Sequence, residues 1–197
     1  MCLQSLDADA IIEKTSRIYE EWGGVDATFT IQISSPDNGS TESFEGVLKT
    51  KKNKFILTTP EMITWFDGAT QWSYVPRNNE VHIDNPTGDD LRLLNPMLLL
   101  QDYKKDFDAL LTGESTTARA KTAYDVTLAP KKKGEIEKIE IQIEKNASIP
   151  AKLVITMRNR FRNIILIETL KAVNHGDEIF TFPSNFYPDV EIIDLRR

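Results

Sequence analysis

The chain opens on a helical period and then turns almost wholly to a period of two. Ile11, Thr15, Ile18 and Trp22 recur at spacings of four, three and four, the single stripe of an amphipathic helix. Asp7 and Asp9 suit its positive end, and Gly23-Gly24 stops it. Ala27, Phe29, Ile31 and Ile33 then alternate with Thr28, Thr30 and Gln32, which predicts a strand with one wet face. Residues 36–40 are turn chemistry. Phe44, Gly46 and Leu48 form the next row, 51–54 turn, and Phe55 and Leu57 continue. Residues 62–66, 71–75 and 80–84 read as three more short strands, punctuated by Asp67-Gly68 and by Arg77-Asn78-Asn79.

The middle breaks this pattern. Thr87 and Asp90 stand three apart, like a capping box, and open a short helical segment through Leu94. Asn95-Pro96 then resembles an N-cap followed by proline at the first helical position. Met97, Leu98, Leu99, Leu100, Tyr103 and Phe107 follow, an unusually apolar content for an insertion between strands. Strands resume with Tyr124/Val126/Leu128 and Ile139/Ile141/Ile143, then Leu153/Ile155/Met157, 164–169 and finally 178–182. No internal repeat or low-complexity linker interrupts the chain. The pattern predicts an α+β fold in one domain, 1–197: a large meandering antiparallel sheet, one N-terminal helix and a helical insertion.

Composition narrows the function. The 197 residues carry a net charge of −6, whereas a nucleic-acid binder needs a basic face to displace counterions. One cysteine excludes an internal disulfide framework and a cysteine-based zinc site. Apolar runs of no more than four residues span no bilayer. Met1-Cys2-Leu3 leads straight into polar sequence; the readings left open are a cytosolic protein and a chain whose targeting peptide is absent. Cys2 is read as an ordinary terminal residue, with acylation there as the alternative. The two histidines, His82 and His175, lack a histidine or cysteine at metal-ligand spacing. No G-x-S-x-G elbow or glycine-rich phosphate loop occurs. No catalytic residue, metal or cofactor is assigned.

Aromatic residues carry more information. Phe55, Trp65, Phe66, Trp72 and Tyr74 fall within twenty residues on consecutive predicted strands. A sheet this wide with few helices owns more apolar face than those helices can cover. Exposed apolar surface costs about 25 cal/mol per Å², so a ligand or partner is expected to fill it. An apolar cargo is the expectation.

Residues 67–74, Asp-Gly-Ala-Thr-Gln-Trp-Ser-Tyr, resemble the D-G-x-T-x-W-x-Y hairpin of the LolA family, the periplasmic carriers of outer-membrane lipoproteins. Gly46–Lys54 with Phe55 is similar to the family's G-x-x-x-x-K-x-x-x-F region, and Thr59-Pro60 precedes the hairpin as expected. Asn95-Pro96 with its aliphatic tail resembles the mid-chain helical lid. Phe180-Thr181-Phe182-Pro183 and 187–196 resemble the C-terminus. The resemblance implies an incomplete, half-open antiparallel barrel of about eleven strands, with helices covering a concave hydrophobic face. It implies a monomeric periplasmic shuttle without a chemical step. Such a shuttle takes acylated lipoproteins from an inner-membrane lipoprotein-exporting ABC transporter and passes them to an outer-membrane acceptor.

Within that picture Phe29, Phe55, Trp65, Trp72 and Tyr74 are expected to line the lipid cavity, and Ile11, Ile18, Met97, Leu98, Leu99 and Leu100 to form the lid. Carriers of this type place a lid-holding arginine shortly before the phenylalanine, where this chain has Lys51 and Lys52. Lysine lacks the planar five-donor fork, so these two are candidate latches of a weaker kind, set against a reading as solvated turn residues. Two further classes stay open: a membrane-anchored acceptor or lipid sensor on the same half-barrel, and an enzyme acting on lipid or glycan.

Overall fold

The structure, a computed structural model, describes residues 7–35, 41–86, 91 and 96–196, with backbone only at 96–98. The expected turn at 36–40, the capping box at 87–90, the expected helical residues 92–94, and Cys2 lie outside the described residues.

Helix α1 (Ala8–Trp22) is followed by β1 (Val25–Ser34), β2 (Thr41–Lys51), β3 (Lys54–Thr58), β4 (Ile63–Phe66), β5 (Gln71–Val75) and β6 (Glu80–Asp84). Helix α2 (Pro96–Asp102) runs into a 3₁₀ turn, Tyr103–Lys105. Then come β7 (Phe107–Thr116), β8 (Thr122–Pro130), β9 (Ile136–Glu144), β10 (Pro150–Met157), β11 (Arg162–Ala172) and β12 (Glu191–Asp194). The strands form one open sheet in the order β12-β6-β5-β4-β3-β2-β1-β11-β10-β9-β8-β7. The paired neighbours from β2 to β6 and from β7 to β11 are antiparallel, whereas β12 pairs β6 in parallel.

The strand count is therefore twelve rather than eleven, and three local expectations change with it. Residues 107–116 form a strand that the period-two reading passes over, because an apolar residue, Leu110, sits on its exposed face while the less exposed row ends in Gly113 and Ser115. Residues 177–180 form a 3₁₀ turn instead of the expected strand at 178–182. Helix α1 buries Ala8, Ile11, Ile12, Thr15, Ser16 and Tyr19; its buried stripe is rotated away from Ile18, which stays half-buried.

The described residues divide into two compact units. The first holds 7–21, 29–35, 41–44 and 99–168; the second holds 22–28, 45–86, 91, 96–98 and 169–196. In the first unit, Ile139, Ile141 and Ile143 of β9 are buried between the equally buried Val126 and Leu128 of β8 and Leu153 and Ile155 of β10. The intervening Lys138, Glu140 and Gln142 point to the opposite face, as the pleat requires. In the second unit Gly24 lies under backbone: a Cβ there would meet the Val173 carbonyl oxygen at 2.4 Å and that of Thr50 at 2.9 Å.

Candidate functional site

The hairpin at 67–74 builds the aromatic side of the second unit. The Asp67 carboxylate accepts the Ala69 and Thr70 backbone N–H groups at 2.9 and 2.8 Å, closing an Asx-type turn. Gly68 supplies the φ of +105° that the turn needs. The register beyond the turn aligns Ile56, Trp65, Trp72 and Ile83 across four strands. The neighbouring row aligns Ile63, Tyr74 and Val81 on the same face. Phe55 pairs with Phe66, one residue out of step with Trp65, and so belongs to the other face. Phe55 is fully buried there, its ring centroid 5.3 Å from that of Phe66. Of the expected cavity residues, the structure brings Trp65, Trp72 and Tyr74 together on one face. Phe55 is on the other face of this unit, and Phe29 is buried in the first unit.

That aromatic face is already occupied. Phe182, Tyr187 and Val190 of the C-terminal segment pack on Trp65 and Val81. Trp65 meets Phe182 edge-on at 5.4 Å, and Tyr187 lies 4.6 Å from Tyr74 and 5.1 Å from Phe182. Burial raises the pKa of the Tyr187 phenol. The segment is held along its length. Lys51 Nζ donates to the His175 carbonyl at 2.6 Å and pairs with Asp177 at 2.8 Å, while Lys54 meets the other Asp177 oxygen at 3.1 Å. Both lysines lower the pKa of the Asp177 carboxyl through hydrogen bonds. His175 Nε2 sits 2.6 Å from Asp26. Asn79, at φ +56°, donates from Nδ2 to the Asp189 carbonyl at 2.8 Å and accepts the Glu191 N–H at 3.0 Å. The partners of Lys51 among the described residues thus belong to the C-terminal segment. Lys52 is an exposed residue of the β2–β3 turn at φ +55°.

The first unit presents a different arrangement. Ile11 and Ile12 of α1 and Leu99, Leu100 and Tyr103 are buried to 5% exposure or less. The side chains of Met97 and Leu98 lie outside the described residues. A groove of about 590 Å³ is lined on one side by Glu13, Ser16 and Arg17 of α1 and on the other by Leu100, Tyr103 and Lys104. The Tyr103 hydroxyl donates to the Asp9 carboxylate at 2.5 Å. Lys104 Nζ lies 2.5 Å from Glu13 and 3.7 Å from Asp9. Burial, and then the hydrogen bond to Asp9, raises the pKa of the Tyr103 phenol well above its ordinary value. A smaller groove of about 290 Å³ on the strands is walled by Asp125, Glu140, Lys152 and Arg162; the larger one is charged as well, with Glu20, Asp102 and Lys105 beside Glu13, Arg17 and Lys104.

Sequence reasoning missed both of these devices. Phe182 entered it as the end of an expected strand and, like Tyr187, as part of a C-terminal resemblance, and Asp9 only as a helix-end charge. Asp9 and Tyr103 are separated by 94 residues, so no local spacing announces their bond. No group of three or more histidine, cysteine, aspartate or glutamate side chains is placed to hold a metal ion among the described residues. His82 contacts Glu80 at 3.2 Å within one strand.

The profile of a family described as outer membrane lipoprotein carrier protein LolA matches residues 2–160. No curated protein sequence matches the chain. Among solved structures, a LolA superfamily protein from Nitrosomonas europaea is similar at a TM-score of 0.50 and 13% identity, over 91% of this chain and 100% of that one. A DUF1329 family protein from Desulfovibrio piger is similar at a TM-score of 0.50 and 12% identity, over 91% and 99%. At these identities the likeness is one of fold. No helix among the described residues is long and apolar enough to cross a membrane.

Proposed function

Because the chain belongs to the LolA family of outer membrane lipoprotein carrier proteins, we propose that it binds the acyl chains of lipoproteins and carries them through the periplasm without altering them. Its donor would be an inner-membrane lipoprotein-exporting ABC transporter and its recipient an outer-membrane acceptor. The acyl chains would lie in the first unit, beneath a cover made of α1 and the segment around Leu99 and Leu100, with Phe29 among the lining residues.

One contrast carries this reading. The Trp65–Trp72–Tyr74 face is filled by the chain's own Phe182, Tyr187 and Val190. The buried apolar residues of α1 and of 99–103 belong to two separate segments with a groove between them. The energetics suit reversible carriage. Uncovering Ile11, Ile12, Leu99 and Leu100 costs about 6–12 kcal/mol at the usual value per buried aliphatic side chain. Burying roughly a dozen acyl methylenes returns about 10 kcal/mol. A guest that nearly balances the cover it displaces can be both taken up and released.

The test is uptake of a triacylated lipopeptide with one fluorescent acyl chain. Saturable binding at one per chain, followed by recovery of the lipopeptide with unchanged mass, is the expected result. Absence of saturable binding contradicts the carrier reading, and recovery of a hydrolysed lipopeptide would favour an enzyme.

A further inference from the structure

One side of the groove is bonded into the sheet through its backbone. The turn Tyr103–Lys105 leads directly into β7, and the Asp106 N–H donates back to the Tyr103 carbonyl at 3.0 Å. The Asp106 carbonyl accepts the Lys131 N–H at 2.8 Å, and the Lys104 carbonyl accepts Lys131 Nζ at 2.6 Å. The turn is therefore bonded to the β7–β8 ladder, which opens with Phe107 paired to Pro130. Asp9 and Glu13 lie four residues apart, on one face of α1. Their bonds to Tyr103 and Lys104 tie that helix to the anchored turn. They stand where α1 and 100–105 face each other across the groove of about 590 Å³.

We propose that Tyr103, Lys104, Asp9 and Glu13 form a clasp, and that α1 is the moving leaf of the cover while the 103–106 turn is its fixed jamb. This inference rests on the carrier reading for its consequence, since the clasp sets how readily acyl chains enter. It names four positioning residues absent from the expected latch at Lys51 and Lys52. Tyr103 is the stronger half: its hydroxyl is attached to a ring only 3% exposed and donates to a carboxylate, the charge-assisted class of hydrogen bond. Lys104 is half-exposed, as is Glu13, and solvent screens their attraction.

Two measurements on the full chain test the clasp. Stopped-flow entry of the fluorescent lipopeptide should be about tenfold faster in Tyr103→Phe, the loss expected for one hydrogen bond to a charged group. Lys104→Ala should change it about two- to threefold. The exchanged pair Lys104→Glu with Glu13→Lys should return toward the parent rate, and binding stoichiometry should stay unchanged throughout. Independently of any lipid, amide hydrogen exchange in Tyr103→Phe should rise along α1 and remain unchanged at 107–116. Equal exchange along α1 in parent and variant overturns the clasp, whether or not lipopeptide binds. Faster α1 exchange in a chain that takes up no lipopeptide leaves the clasp standing and removes the carrier reading.

Discussion

The two units hold their packed segments in place by different means. In the second unit the cover is the chain's own C-terminal segment, pinned by a parallel strand, by Asn79 and by two lysines on Asp177. In the first unit, α1 meets 99–105 around a groove, with a phenol and an ammonium holding two carboxylates. A backbone ladder resists opening because every bond must be broken together, whereas side-chain bonds at a rim yield one at a time. The aromatic cluster of Trp65, Trp72 and Tyr74 packs against the chain's own Phe182, Tyr187 and Val190.

The largest expected effect separates a structural cover from a functional one. Phe182→Ala removes a ring 9% exposed from the Trp65 cluster and should cost about 3–5 kcal/mol in denaturant unfolding. Lipopeptide uptake by the fraction that remains folded should be unchanged. Leu99→Asp is its counterpart: an unpaired carboxylate at a position 2% exposed cannot pack as leucine does. Lipopeptide affinity should fall by at least about tenfold while the far-ultraviolet circular dichroism of the sheet persists. Loss of uptake in the first variant and not the second would reverse the assignment of the two faces.

Smaller effects sharpen the account of the C-terminal segment. Gly24→Ala drives a methyl into the Val173 and Thr50 carbonyls and should destabilise by about 1–3 kcal/mol, with exchange rising first near 173. The Asp177 pKa is lowered by its hydrogen bonds to Lys51 and Lys54. A carboxylate with a depressed folded pKa stabilises above the ordinary range near about 4 and loses that contribution as pH falls through the folded value. Proteolysis at 173–180 should thus be slow at neutral pH and accelerate below about pH 4. In Asp177→Asn it should already be faster at neutral pH.

Much of the strand order was legible because turn residues cut the chain cleanly. Asp67-Gly68 begins at the residue after β4, and Arg77-Asn78-Asn79 runs up to the first residue of β6. Which face each aromatic occupies was not legible. Phe55 and Trp65 look equivalent in sequence, and only the pairing of Phe55 with Phe66 and of Ile56 with Trp65 sends them to opposite sides. Strand β12 has four residues, and its parallel partner lies more than a hundred positions earlier, so it leaves no hairpin signature. The run from Met97 to Leu100 was visible as apolar, and Leu99 and Leu100 are buried. The bond from Tyr103 to Asp9 depends on the two segments being brought together by the fold.

The most direct test uses a lipopeptide with a photoreactive group at the end of one acyl chain, crosslinked to the full chain and mapped by mass spectrometry. The account predicts adducts within α1 and residues 99–107, and none at Trp65, Trp72 or 182–190. Adducts concentrated on the Trp65 face, with α1 unlabelled, would contradict it.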